Sequence, residues 1–300
     1  MLALSTSWNQ GSCRSAENTI EQIKGLGFEC VELCFSHTQK DLKEILKSRI
    51  KVTSLHNFCP IPDGLPRKKA LPDCFSLAST NTEERKKAVK LTKRTILSAR
   101  KFKAKAVVLH TGRVEIPDYT KQLIKILSRK KETRPDKFAS LRELEIQERK
   151  NNKVEFLDNI FLSIKELADF AFNEGVLLGI ENRIYIREIP NFQEIKIFTD
   201  NFHKKGVGYW HDTGHAYILE KLGFAKHTDY LKTYSRYLLG IHIHDVKGFV
   251  DHNAPFSGEI DFTEFRPYIK KDTIKVVEAH KPASAKELIQ ARKKLEKLYN

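Results

Sequence analysis

The sequence of 300 residues predicts an α/β protein, a (β/α)8 barrel forming a single domain. Eight short apolar runs recur along the chain, and longer segments of helical period separate them. No low-complexity stretch or linker divides the chain. Near-continuous apolar strands that alternate with helices are typical of a parallel sheet buried on both faces. The same alternation also allows an open doubly wound sheet, which we keep as the alternative fold.

The eight predicted strands share apolar, mostly β-branched composition. In chain order they are Leu2 to Thr6, Cys30 to Leu33, Val52 to Leu55, Ala106 to Leu109, Val176 to Ile180, Val207 to Trp210, Leu238 to Ile243 and Ile274 to Val277.

Helices are predicted where apolar residues recur with a period of 3.6 residues. The first follows Ser15 and extends to Leu26, with Ile20 and Ile23 facing inward. A second lies between Thr82 and Phe102 and carries a very basic outer face. A third is predicted from the apolar positions between Leu157 and Ala171, ahead of a stop at Gly175.

Two segments interrupt the alternation. Residues 57–73 contain four prolines and a glycine, which indicates a long loop after the third strand. Residues 113–153 form a highly charged insertion after the fourth strand, ahead of the next clear helix. In a barrel both segments follow the carboxyl ends of strands, where active-site loops grow, so either is a candidate lid.

The charge balance is strongly basic, with a formal net charge of +15. The Lys and Arg residues are scattered over many short runs, which favours solvated helix faces over a concentrated nucleic-acid surface. No apolar run approaches the ~20 residues of a membrane span. The beginning of the chain has no signal-peptide pattern, and the five cysteines form no C-x-x-C pair. We therefore expect a cytoplasmic protein with reduced thiols and no membrane partner.

Six of the eight predicted strands end in a carboxylate or an imidazole. Asp, Glu and His make up only 49 of the 300 residues, so six such endings are improbable by chance. Barrel strands present their carboxyl ends at one mouth, where active sites form. The six residues are His56, His110, Glu181, Asp212, His242 and Glu278.

Carboxylates and imidazoles around one cavity are typical ligands of Zn²⁺, Mn²⁺ or a similar divalent ion. Without a cation, converging carboxylates would repel one another. His215 lies three residues after Asp212 across a turn containing Gly214, so both side chains can face the same cavity. His244 shares a strand face with His242. Lys247, Asp251 and His252 follow in the loop.

Structural roles compete with these interpretations. A single histidine after a strand is more often a structural residue than a ligand, and Glu181 alone could pair with Arg183. We expect His211 to pack outward, because it alternates with Asp212 on the strand. Trp8, Tyr209 and Trp210 are expected to pack in the core, although Trp8 could also line the mouth.

The motifs resemble the xylose isomerase-like barrels, a superfamily of sugar and sugar-phosphate isomerases and epimerases that also includes endonuclease IV-type nucleases. The resemblance covers nearly the whole chain. It rests on SLH at His56, VLHTG at His110, GIENR at Glu181, WHDTGH at Asp212, GIHIHD at His242, DHNAPFSGEIDF after it and VVEAH at Glu278.

This resemblance implies a central metal site of Glu181, Asp212, His242 and Glu278. In the epimerase-like branch the two glutamates also act as acid and base. In the nuclease branch His56 and His110 would join Glu181 at a second ion, and His215 with an Asp-x-His pair would hold a third. Here Asp251 and His252 are adjacent instead, whereas SGEIDF is similar to a loop of the epimerase-like branch.

The sequence therefore favours a metal-dependent sugar or sugar-phosphate isomerase or epimerase, with catalytic Glu181 and Glu278. Phosphodiester hydrolysis, on abasic DNA or on a small diester, is the alternative. We expect one to three ions per chain, Zn²⁺ or Mn²⁺, and a small carbohydrate or phosphorylated partner in preference to nucleic acid. A homo-oligomer is compatible with the sequence. The predicted substrate-binding residues are Arg183, His244, Lys247 and Asp251.

Overall fold

A closed barrel of eight parallel strands forms the centre of the molecule. The computed structural model describes residues 2–9, 15–128 and 135–299. The barrel strands are β1 (Leu2–Ser5), β2 (Cys30–Leu33), β3 (Lys51–His56), β4 (Ala106–Leu109), β5 (Leu177–Glu181), β6 (Val207–Asp212), β7 (Leu238–Ile243) and β10 (Ile274–Val277). Each pairs with the next, and β10 closes the barrel against β1. The predicted barrel and all eight of its strands are confirmed, and the open sheet is excluded.

Helices surround the barrel. Those in the described residues are α1 (Ala16–Gly25), α2 (Gln39–Lys47), α3 (Thr82–Phe102), α4 (Tyr119–Ser128), α5 (Pro135–Asn173), α6 (Ile195–Phe202), α7 (Thr213–Lys221), α8 (His227–Tyr234) and α9 (Ala285–Tyr299). Ser15 caps α1 by accepting a hydrogen bond from the Asn18 amide, and Ile20 and Ile23 are fully buried as predicted. Residues 57–73 are irregular apart from the short 3₁₀ turn Arg67–Lys69.

The barrel interior has its own small core, separate from the layer between strands and helices. It consists of Ala3, Cys30, Ala106, Val108, Trp210, Ile274 and Val276. The Trp210 ring crosses the interior beneath the mouth, where its centroid is 5.3 Å from that of His242. A Cβ at Gly179 would lie 2.7 Å from Cε3 of Trp210, and one at Gly240 would overlap the same ring. The two glycines therefore leave room for the Trp210 ring, which forms the floor of the mouth.

The segment between β4 and β5 differs from its prediction. The helix expected near Leu157 begins at Pro135, so α5 has 39 residues and takes in much of the predicted charged insertion. The inner face of its first half carries buried Glu145 and Arg149, which an apolar pattern cannot reveal. Residues 129–134 of that insertion lie outside the described residues.

A two-stranded antiparallel hairpin lies beyond β7 and was not predicted. Its strands are β8 (Asp245–Lys247) and β9 (Val250–Asn253). Both oxygens of Asp245 accept backbone hydrogen bonds from the SGEIDF segment, one from Gly258 and one from Ile260. The hairpin carries three of the predicted site residues. Within the described residues no helix is both long and apolar enough to span a membrane.

Candidate metal centre

Four predicted ligands meet at the mouth of the barrel. Glu181 and Asp212 end β5 and β6, His242 lies in β7, and Glu278 directly follows β10. All four are buried. Nδ1 of His242 faces the three carboxylates, at 2.6 Å from Glu181, 2.9 Å from Glu278 and 3.8 Å from Asp212. One ligand atom from each residue lies within 4.8 Å of the others, so the four can share an ion.

The other nitrogen of His242 is held by a residue that the sequence analysis missed. Nε2 lies 3.0 Å from Oε1 of Glu32, which is fully buried in β2. Glu32 also accepts a hydrogen bond of 2.7 Å from the Ser54 hydroxyl. A metal-binding histidine usually donates its second N–H to a carboxylate or carbonyl, which fixes the ring and its tautomer. This arrangement leaves Nδ1 of His242 available as the ligand atom.

The carboxylates are held in the ionised form that metal binding requires. Without a bound ion, burial by itself would raise the pKa of Glu181 and of Glu278, but the charge of protonated His242 outweighs burial and holds both pKa values well below their usual range. A bound ion would take the place of the His242 proton on Nδ1, since one nitrogen cannot hold both. Burial is likewise outweighed at Asp212, where His215 and His244 lower the pKa. Three buried carboxylates so close together favour a bound cation, because like charges repel strongly in a poorly solvated site.

His56, at the end of β3, and His110, directly after β4, both lie beside Glu181. Their ring centroids are 4.7 Å apart, and Nε2 of His110 lies 2.8 Å from Oε2 of Glu181. Arg183 also contacts His110 and Glu181. Its Nη1 is 2.9 Å from Oε2 of Glu181 and 2.5 Å from Nε2 of His110. A guanidinium thus contacts the two atoms that a second ion would need.

A third group forms around Asp212, His215 and His252, whose donor atoms also lie within 4.8 Å of one another. Asp212 caps α7 by accepting a hydrogen bond from the His215 amide. Nε2 of His244 lies 2.9 Å from both oxygens of Asp212, and a Cβ at Gly214 would overlap the His244 ring. His244 therefore orients a candidate ligand in this structure.

The remaining predicted residues lie farther out. Asp251 is half-buried on β9, where Oδ1 is 3.1 Å from Nδ1 of the adjacent His252. Lys247 lies exposed at the end of β8. His211 packs outside the barrel, as its alternation predicted, with Nε2 3.1 Å from Nε2 of His227. Trp8 is buried and donates to the Ala283 carbonyl.

Comparison with known proteins identifies the fold family. The family described as xylose isomerase-like TIM barrel matches residues 20–298, which is nearly the whole chain. The chain belongs to this family. No curated protein sequence matches it significantly.

Solved structures with the same fold match the chain over nearly its full length. A 3-keto-D-glucoside 4-epimerase from E. coli is 14% identical with a TM-score of 0.68, covering 99% of this chain and 98% of its own. A D-psicose 3-epimerase from Clostridium cellulolyticum is 14% identical with a TM-score of 0.66, and the match covers 100% of this chain and 99% of the epimerase. A D-tagatose 3-epimerase-like protein is 19% identical with a TM-score of 0.64, covering 99% and 96%. At these identities the likeness establishes the common xylose isomerase-like fold.

Beside Glu32, Asn182 was not predicted as a site residue; it holds Asp212 in this xylose isomerase-like mouth. Its side-chain oxygen accepts from the Asp212 amide at 2.7 Å, and its side-chain amide donates to the Asp212 carbonyl at 3.0 Å. The Tyr209 hydroxyl donates to the same side-chain oxygen at 2.9 Å. An amide directly after a candidate ligand strand was the available signal, because such a side chain can bridge to the next strand.

Proposed function

We propose that this protein is a divalent-metal-dependent isomerase or epimerase of a sugar or sugar derivative. Glu181, Asp212, His242 and Glu278 hold the ion. The observation that carries the proposal is that Glu181 and Glu278 reach Nδ1 of one imidazole from two different strands, at 2.6 and 2.9 Å. Two carboxylates beside one small-molecule site are suited to removing and returning a proton. The epimerases among the solved structures of this fold support the same reaction class.

In the proposed reaction the two glutamates divide the proton transfers. One removes the proton from the carbon beside the substrate carbonyl, and the other, or a water molecule, returns it. When bound, the divalent ion supplies a Lewis acid that polarises the carbonyl. Asp212 stays ionised under the influence of His215 and His244, and Glu32 keeps the His242 ring in place. Burial of all these groups strengthens their electrostatic interactions with the substrate.

The direct test of the acid–base role is Glu278→Gln. The amide can still contact a metal but cannot accept a proton, so turnover should fall by roughly 10²- to 10⁴-fold while bound metal falls only in part. Incorporation of solvent deuterium into a panel of ketoses and their phosphate esters measures the proton transfer directly. Glu264→Gln, at an exposed position, is the matched control. Full exchange by Glu278→Gln, or none by the parent protein, would refute the proposal.

Phosphodiester hydrolysis is the second candidate, favoured by two of the three further donor groups around the central site. His56 and His110 with Glu181, and His215 and His252 with Asp212, give the ligand sets of a cluster of three ions. Two or more ions can stabilise both the attacking and the leaving oxygen of a diester. The contacts of Arg183 with His110 and Glu181 weigh against the second ion and therefore favour the isomerase.

Metal stoichiometry separates the two candidates. We expect one tightly bound ion per chain in protein purified with excess Zn²⁺ or Mn²⁺ and then dialysed, measured by elemental analysis. Three ions per chain, together with cleavage of abasic DNA or of a small diester, would favour the hydrolase instead.

A further inference from the structure

A cavity of about 350 Å³ lies between the first half of α5, the loop after β5 and the turn that joins α7 to α8. Its volume falls within the ~300–1,000 Å³ of small-molecule sites. Apolar walls come from aromatic side chains of the loop, of the turn and of α8, namely Tyr185, Phe192, Phe224 and Tyr230. The cavity is therefore of the size and composition that bind a small molecule, and nothing in the candidate metal centre uses it directly.

The α5 wall of this cavity is strongly basic. Arg142, Arg149, Lys150 and Lys153 all line it, and their spacing places them on one side of the helix. Arg149 is neutralised, since two of its nitrogens donate to the buried carboxylate of Glu194 at 2.7 Å. Lys153 lies 3.8 Å from the same carboxylate, and Lys150 is exposed at the rim. The wall thus carries more positive charge than Glu194 can balance.

The Arg142 side chain can donate a further hydrogen bond. Its guanidinium lies 5.0 Å from the centre of the Phe224 ring and donates to the Gly223 carbonyl. Its Nε is buried and finds no hydrogen-bond partner among the described residues. A buried donor without a partner is costly in a folded protein, so a ligand acceptor at this position would be stabilised.

Arg183 joins the cavity to the metal centre. Its side chain lines the cavity, Nη1 donates to Glu181 at 2.9 Å, and Nη2 donates to Glu188 at 3.0 Å. Glu188 lines the cavity as well. A molecule that fills the cavity is therefore separated from a catalytic glutamate by one arginine side chain.

We propose that this cavity binds the phosphate group of a phosphorylated sugar, with Arg142, Lys150 and Lys153 as its cationic partners. Phosphate is favoured because its oxygens accept several charge-assisted hydrogen bonds at once, which suits the three cations of the wall other than Arg149, which Glu194 neutralises. The inference rests on the proposed function for the identity of the sugar, since the metal centre would hold the carbonyl end. The binding of phosphate itself can be measured without any turnover.

The test is calorimetric titration of the metal-loaded protein with inorganic phosphate. Lys150→Ala/Lys153→Ala removes two charges from the wall without touching the metal ligands, and should weaken phosphate binding on the order of tenfold or more. Lys270→Ala/Lys271→Ala is the matched control. It removes the same charge from exposed positions ahead of β10, at the opposite end of the barrel from the mouth.

The expected result is phosphate binding by the parent and the control, weakened binding by the α5 variant, and equal metal content in all three. Failure of the parent to bind phosphate, or equal affinity in the parent and the α5 variant, would overturn the inference. If a ketose phosphate is turned over, phosphate should also compete with it, whereas non-competitive inhibition would assign the cavity to a separate regulator and refute a substrate role. An inactive protein that still binds phosphate at α5 would refute only the proposed reaction.

Discussion

Glu32 holds His242 from the side opposite the three carboxylates of the metal centre. It lies inside β2, whereas the predicted ligands were found at strand ends. A Glu within a short apolar strand is equally compatible with an outward, paired side chain, so the sequence could not assign it. Its role depends on the packing of β2 beside β3, which brings Ser54 within 2.7 Å and leaves the other oxygen for Nε2 of His242.

Replacing Glu32 by Gln should weaken metal binding roughly 10- to 100-fold, the usual effect of changing the partner of a metal-binding histidine. The amide oxygen can still accept from Nε2, but it lacks the negative charge that raises the basicity of Nδ1 as a ligand. Competition with a chromogenic chelator measures the affinity, and Glu29→Gln, an exposed position just before the same strand, is the matched control. Equal affinities in the two variants would show that Glu32 does not support the metal site.

At the scale of elements, α5 is where the sequence was least informative. Its second half follows an apolar period and was predicted, whereas the first half buries the ionisable side chains Glu145 and Arg149. One Glu145 oxygen accepts hydrogen bonds from the amide and the hydroxyl of Thr120, and the other finds no partner among the described residues. Such polar packing joins α5 to α4, but it depends on tertiary neighbours and leaves no periodic signal.

Burial, assisted by the charge of Asp118, raises the pKa of Glu145 to about 7 despite the Thr120 hydrogen bonds and Arg187. The folded state therefore holds this proton more tightly than the unfolded state. The contribution of Glu145 to stability should fall as the pH rises from about 4.5 to about 7, and should stay low above that.

Glu145→Gln keeps the acceptor for Thr120 and removes the buried charge. Its stability relative to the parent should rise by roughly 3 kcal/mol between pH 5 and pH 8, an order-of-magnitude value from the pKa shift. Urea unfolding at both pH values measures this difference, and effects of the metal site cancel in the comparison. The same relative stability at pH 5 and pH 8 would contradict the raised pKa.

For the whole molecule, barrel closure turns separate strand ends into one site. The positions of Glu181, Asp212, His242 and Glu278 were predictable because parallel strands of a barrel end at one mouth. Their exact contacts were not, since they depend on Trp210 and the glycines beneath it and on Asn182 between the strands. The second and third donor groups were also predictable as residues, but the contact of Arg183 with His110 depends on the loop after β5.

The distribution of charge is likewise predictable from the sequence only in part. The sequence gives a net charge of +15 spread over many runs, which favours solvated surfaces. Folding then gathers several of these cations on one side of α5, around a cavity of small-molecule size. A basic composition therefore need not indicate nucleic acid, because part of it can serve an anionic group on a small substrate.

Metal analysis of the parent protein and of Asp212→Asn tests the central claim most directly. Asn can still cap α7, so the fold should persist by circular dichroism while one charged ligand is lost. After loading with Zn²⁺ or Mn²⁺ and dialysis, the parent should retain at least one ion per chain and the variant markedly less. A parent that retains no ion, or a variant that retains as much as the parent, would contradict a metal centre at this mouth.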